Sequence, residues 1–189
     1  AFCSMAGYAF ARIDFPFKNA LFVLILSVLM VPGQIFLIPQ YQIIQKMGLL
    51  DTIPALFMPN LFSAFGTFLL RQFFMSLPKE LEEAAYIDGA RTPDVFFRVI
   101  YPLLKPMIST IVIKNGLWFW NDYLLPSLIL TDRDFHTLTL FLDRFKTEYY
   151  IDYTLVFAAI LLTMLPMLLL YIFMQKQFIG GLTGGAVKG

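Results

Sequence analysis

Residues 77–102 read "LPKELEEAAYIDGARTPDVFFRVIYP" and form the most highly charged part of an otherwise apolar chain. Pro78 suits a helix start, because its missing N–H would be unsatisfied there anyway. Glu80, Glu82 and Glu83 put negative charge in the first turns, where the helix dipole favours it. Ala84 and Ala85 are strong helix formers. Gly89 is placed to end the helix, since glycine takes the left-handed cap conformation cheaply. A second helix is expected with Thr92 as N-cap, Pro93 at its first position and Asp94 behind, running through "VFFRVIY" to Pro102. The first helix is small-faced and acidic; the second is apolar enough to lie against the base of a membrane. The residues admit two readings. One is an ordinary polar loop with helical content. The other is a plug whose Ala-Ala face fits another protein's groove and whose carboxylates take Arg or Lys from that partner.

Composition places this knuckle in a membrane protein. The 189 residues are 59% hydrophobic, 17% aromatic and 14% charged, with a mean hydropathy of +0.72. Soluble domains carry about 25% charged residues. The net charge of +1 gives no bias toward nucleic acid. A single cysteine, Cys3, excludes an internal disulfide and reads as inert packing; with the one histidine, His136, it does not make a usual zinc site. The chain opens on Ala1 inside "AFCSMAGYAFA", which reads as the end of an apolar helix, so a sequence that has lost its N-terminus is expected.

Apolar runs at 1–11, 20–39, 53–74, 107–130 and 154–174 are the expected membrane segments; about twenty residues at 1.5 Å each cross ~30 Å of hydrocarbon. The polar segments 12–19 and 71–106 and the tail 175–189 hold nine of the fourteen Lys and Arg residues. The alternate segments hold four, and Lys114 lies within a span. Cytoplasmic loops carry the excess of Lys and Arg, so the knuckle and the C-terminus are expected to face the cytoplasm.

"EEAAYIDGARTPDVFFRVIYPLLKP" resembles the EAA loop of ABC importer permeases, with Glu83, Ala84, Ala85 and Gly89 matching its pattern. Ile100 and Pro102 match the later part loosely, with Tyr101 where a leucine is usual. "AGYAFARIDFP", "MVPGQIFLIPQY", "FLLRQFFMSLPKELEEAAYIDGA", "FWNDYLLP" and "QKQFIGGLTGGAVKG" are similar, in order and spacing, to the carbohydrate-type branch that includes maltose and glycerol phosphate permeases. This resemblance implies an all-α polytopic transmembrane bundle forming one permease domain over 1–189. The first of six family spans, and most of the second, would precede the chain. Within the domain it implies a coupling loop at 76–105 and a cytoplasmic tail at 175–189. It further implies that helix 78–88 is a coupling helix, with Glu82, Glu83, Ala84, Ala85, Asp88, Gly89 and Arg91 contacting a separate ATPase subunit. The implied partners are two ATPase copies, a second homologous permease, an extracellular or periplasmic solute-binding protein and a small carbohydrate. No phosphate-loop motif G-x-x-x-x-G-K-[ST] occurs in the sequence. The expectation is therefore that this chain is not an enzyme and binds no cofactor, ATP and Mg being used by the partner.

Several polar residues fall within the apolar runs. Asp122 and Asn121 sit in "LWFWNDYLLP", where a charge at a helix centre costs about 2.5–3.5 kcal/mol and seeks a bundle interior or cavity. They either line the solute path or hold helices together. Lys114 lies eight residues before Asp122, about 80° away around a helix, so the two do not pair on one face. Asn60, Ser63 and Thr67 recur at i, i+3, i+7 beside Gly66, a strip that reads as helix packing for Ser63 and Gly66 and as solute path for Asn60. Pro32-Gly33-Gln34 breaks the second run, and the freed carbonyls need protein or cavity water; Gln34 joins the candidate path. Trp118 and Trp120 read as belt or packing residues ahead of sugar stackers. Two rivals remain from other classes. An intramembrane protease lacks a base within the spans. An ion-coupled transporter or channel has no mechanical need of the knuckle.

Overall fold

The computed structural model describes residues 2–145 and 152–186. Lys146 and Lys188 of the charge count, and the end of the tail at 187–189, lie outside the described residues. The helices in chain order are α1 (Phe2–Arg12), α2 (Lys18–Ser27), α3 (Leu37–Lys46), α4 (Ile53–Phe57), α5 (Ala64–Ser76), α6 (Glu80–Ile87), α7 (Thr92–Asp94), α8 (Tyr101–Leu103), α9 (Lys105–Asn121), α10 (Leu124–Ile129), α11 (Leu138–Phe141) and α12 (Tyr153–Ala186). A π-helical stretch, Val95–Ile100, joins α7 to α8. No strand occurs among the described residues, so the architecture is all-α as the apolar runs imply.

The spans are more broken than periodicity suggests. Tyr153–Phe173, with a mean hydropathy of 2.6, is by itself long and apolar enough to cross a membrane. Counting three bent pairs as single spans gives up to four among the described residues. The Pro32 break appears where expected, between the rods Lys18–Met30 and Gly33–Lys46. The second rod, however, continues past the expected end at 39 to Lys46, because Pro39 falls in the first turn of α3, where its missing N–H costs nothing. The run 53–74 is not one helix: it stops at Asn60 and restarts at Ala64. The run 107–130 is likewise divided, with α9 ending at Asn121 and α10 starting at Leu124. The knuckle's second helix does not stop at Pro102, which sits in the first turn of α8. Thr92 is the first helical residue rather than the N-cap, a place held by Arg91.

The chain forms two compact units. The first comprises Ala1–Met30, Phe62–Val112 and Met174–Gly189. Its core gathers Tyr8, Leu70, Phe74, Val95, Phe96, Ile100 and Leu104. Tyr8 meets Phe74 and Phe96 edge-on, at centroid distances of 5.5 and 5.1 Å. The π-helical stretch thus buries its apolar side in this core; "VFFRV" is covered by protein on that face. α1 and α5 approach closely at Gly7, where an added Cβ would stand 3.0 Å from Leu70 Cβ and 3.1 Å from the Arg71 backbone nitrogen. Arg71 Nε donates to Phe10 O (3.1 Å), and the Arg71 guanidinium lies 4.2 Å from the Phe22 ring centroid.

The polar strip expected on residues 60–67 is a packing device at this contact. Ser63 is the N-cap of α5, its hydroxyl accepting from Gly66 N–H at 3.0 Å. Cys3 Sγ accepts from Ser63 N–H (3.3 Å), and Thr67 is fully buried. Asn60 lies before the helix break, so the three residues do not share one helical face.

The second unit comprises Val31–Leu61 and Ile113–Phe173. Ile44, Ala55, Leu125, Ile129, Leu130 and Leu140 form its core. Asp51, in the left-handed region at φ +56, ties the 47–52 turn to the end of α10. Its N–H donates to Ile129 O (3.0 Å), and its carboxylate accepts from the Asp132 and Thr131 N–H groups and the Thr131 hydroxyl. The Asp132 N–H foremost, then the Thr131 hydroxyl, hold the Asp51 carboxyl below its ordinary pKa. Trp120 Nε1 donates to Thr163 O (2.9 Å), one residue beyond the Leu162 carbonyl that loses its helical partner at Pro166.

Candidate functional site

The site is built on α6. Three residues separate it from α5, with Leu77 extended (φ −75, ψ 139) ahead of Pro78. The expected start at Pro78 is displaced to Glu80, and the Glu82 and Glu83 N–H groups bond back to Lys79 O. At the other end Gly89 has φ +82, its N–H bonding to Tyr86 O (3.0 Å) while Ala90 N–H bonds to Ala85 O (3.0 Å). This is the paired-bond left-handed cap that reverses the chain within two residues. Glycine serves there for its backbone alone.

The acidic residues of α6 divide. Glu83 and Asp88 are exposed, as are Ala84, Gly89 and Arg91. Glu82 is only 8% exposed and its carboxylate is engaged inside the chain. Arg12 Nε lies 2.7 Å from Glu82 Oε1, and the Tyr8 hydroxyl donates to Glu82 Oε2 at 2.8 Å. The Nε–H points off that line, so the contact is a close ion pair rather than an aligned hydrogen bond. Arg12 Nη2 also donates to Leu77 O (2.7 Å). This corrects the expectation that Glu82 is available to a partner. The sequence pointed to cations on a partner protein; for Glu82 the cation sits in this chain, at the end of α1, about seventy residues earlier. Ala85 is corrected too: it packs partly against its own core, so the Ala-Ala pair presents Ala84 outward and Ala85 inward. The outward face adds residues that the motif did not single out. Leu81, Tyr86 and Ile87 are exposed, Ile87 at 86%. The sequence signal for it was an isoleucine two residues before the glycine cap of a polar, acidic helix; its exposure came from the structure.

A polar depression of about 450 Å³ lies beside this clasp, lined by Tyr8, Arg12, Lys79, Glu82, Glu83 and Tyr86 among others.

Of the four candidate path residues, two come together. Asn121 and Asp122 line an open depression of about 550 Å³ with Lys114, Leu117, Trp118, Tyr123 and Leu124. Asp122 is half-buried at the break after α9, not at a helix centre, and Asn121 Nδ2 donates to Leu117 O (2.7 Å). Asn121 also lines an apolar depression of about 330 Å³ with Trp120, Thr163 and Tyr171. Gln34, exposed in a 3-10 turn, and Asn60, half-buried before the break, line neither.

Comparison with known proteins finds relatives along the whole chain. The arabinooligosaccharides transport system permease protein AraQ of Halalkalibacterium halodurans is 39% identical over 188 residues, covering 100% of this chain and 67% of that protein. The melibiose/raffinose/stachyose import permease protein MelC of Bacillus subtilis is 38% identical over 191 residues, covering 100% of this chain and 69% of that protein. The fold is shared with a bacterial ABC transporter involved in import of the acidic polysaccharide alginate, at a TM-score of 0.80 and 23% identity over 94% of this chain and 68% of that one. Residues 4–179 match the family described as binding-protein-dependent transport system inner membrane component, and the chain belongs to that family.

Proposed function

We propose that this chain is the permease subunit of an ATP-driven importer that carries a sugar, oligosaccharide, polyol or glycerol phosphate across the inner membrane. In this reading α6 is the coupling helix. It faces the cytoplasm and seats in a groove of a separate ATPase subunit. The observation that carries the proposal is the outward face of α6, where Leu81, Ala84 and Ile87 are exposed together with the carboxylates Glu83 and Asp88. An apolar stripe flanked by charge on a short, firmly anchored helix is the form of a helix-in-groove contact. Glu83, Ala84, Asp88, Gly89 and Arg91 remain the proposed ATPase contacts, with Leu81 and Ile87 added. Glu82 and Ala85 act from behind the face. The carbohydrate assignment is supported by the named substrates of AraQ and MelC. The importer holds two ATPase copies, a second homologous permease and a solute-binding protein outside the membrane. ATP and Mg are used by the ATPase, and Asn121 and Asp122 border the solute path with Gln34 and Asn60.

The test is co-purification of the ATPase with tagged permease variants. Ile87→Glu and Glu83→Lys are expected to lose most of the bound ATPase while inserting normally: the first puts an unpaired charge into the contact, and the second removes one partner of a desolvated charge pair, which costs about 2–5 kcal/mol. Parental ATPase binding by both variants, or uptake in vesicles driven by an ion gradient without ATP, would overturn the reading.

A further inference from the structure

The joint between α5 and α6 has the sequence of a hinge and the contacts of a clamp. Leu77-Pro78-Lys79 is short and irregular, passing from extended at Leu77 to helical dihedrals at Lys79. Left alone, such a link would let α6 swing when its partner moves. Arg12 prevents this by holding both sides of the link, Leu77 O with Nη2 and Glu82 with Nε. Tyr8, one turn earlier on α1, takes the second oxygen of the same carboxylate. The side chains of Arg12 and Glu82 are 9% and 10% exposed, so the pair is screened from water, which strengthens it and makes its loss costly. Tyr8 in turn is packed among Phe74 of α5 and Phe96 of the π-helical stretch that follows α6. The elements before and after α6 therefore meet on the residue that grips it.

We propose that Glu82 is a positioning residue for energy coupling: with Arg12 and Tyr8 it locks α6 to the end of α1, so that a push on α6 moves α1 and α5 with it as one lever. This rests on the reading of α6 as the helix that docks on the ATPase. It assigns the transmitting contact to Arg12, Tyr8 and Glu82, none of which belongs to the outward docking face. The exposed carboxylates Glu80 and Glu83 are outside the lock.

Spin labels test it in the assembled complex with the ATPase, on a Cys3→Ser background with cysteines at the exposed positions Asp14 and Glu80. The probes are apyrase treatment to remove nucleotide, and MgATP with vanadate to trap the closed ATPase. In the parental chain the distance distribution between residue 14, just past the end of α1, and residue 80 of α6 is expected to be narrow and the same in both states. With Glu82→Gln it is expected to broaden and become nucleotide-dependent, and stimulation of ATP hydrolysis by the solute-binding protein is expected to fall about tenfold. The exchanged pair, Arg12→Glu with Glu82→Arg, is expected to restore the narrow distribution. Should Glu82→Gln fail to assemble, Tyr8→Phe keeps the charge and the ring and is expected to broaden the distribution to a lesser degree. A parental distance that changes with nucleotide overturns the proposal, and so does a distance that stays fixed in the variants. Failure of the parental chain to hold the ATPase at all would instead overturn the docking reading.

Discussion

Gly89 carries the turn at the end of α6 with φ +82, and no atom lies within 4 Å of where its Cβ would stand. Substitution there is a backbone matter, costing about 1–2 kcal/mol in the left-handed region. Gly89→Val is expected to weaken ATPase co-purification, while Gly89→Asn, which tolerates that region, retains more of it. Equal loss in both would point to the side chain and not to the turn. Asp51 is a second residue whose behaviour follows from its contacts. Its carboxyl is held below the ordinary value by the Asp132 N–H and the Thr131 hydroxyl. A depressed folded-state pKa contributes stability above the unfolded pKa, and that stability is lost as pH falls through the folded value. The melting temperature of the detergent-solubilised protein is therefore expected to drop more steeply below about pH 4 than that of Asp51→Asn, which should melt lower at neutral pH. Parallel pH profiles for the two proteins would remove the assigned role.

At the scale of elements, the pairing of α1 with α5 depends on a glycine that permits close approach. A methyl at Gly7 would stand 3.0 Å from Leu70 Cβ and 3.1 Å from a backbone nitrogen, and backbone does not step aside. Overpacking of this kind costs about 1–3 kcal/mol. Gly7→Ala is expected to lower the melting temperature by several degrees and Gly7→Leu to abolish stable expression, read by fluorescence-detected gel filtration. Because Arg71 Nε reaches Phe10 O across this contact, Arg71→Lys is expected to lose part of the same stability. Only half of the device was visible beforehand. Ser63 and Gly66 read as packing from their size, but their partner was not identifiable, since Cys3 and Gly7 are about sixty residues away and a stripe of small residues does not name its mate.

At the scale of the whole molecule, the unequal distribution of Lys and Arg gives the orientation its test. A cysteine at Glu83 on a Cys3→Ser background is expected to react with impermeant thiol reagents only from the cytoplasmic side, and one at Asp134 only from outside. Glu83 and Asp134 are exposed, whereas the buried Glu82 would give a false negative from either side. Labelling of the opposite sense at both positions would reverse the topology.

The apolar runs, the acidic first turn of α6 and the glycine that ends it were determined by local sequence. Each rests on propensity, dipole and backbone freedom within a few residues. The break at Pro32 belongs with them, because proline acts on its own turn. Tertiary structure decided the rest. It divided the runs at Phe62, where Pro59 in the preceding 3-10 turn was the local signal, and at Asp122, where neither glycine nor proline marks a stop. It turned Ala85 inward and Ala84 outward, since the register of a helix face is set by what packs on it. Above all it took Glu82 out of the exposed acidic cluster and gave it to Arg12 and Tyr8. Three carboxylates within four residues look alike in sequence. Which of them is buried depends on where a cation from a distant helix ends, and only the packing of α1 against α5 puts Arg12 there.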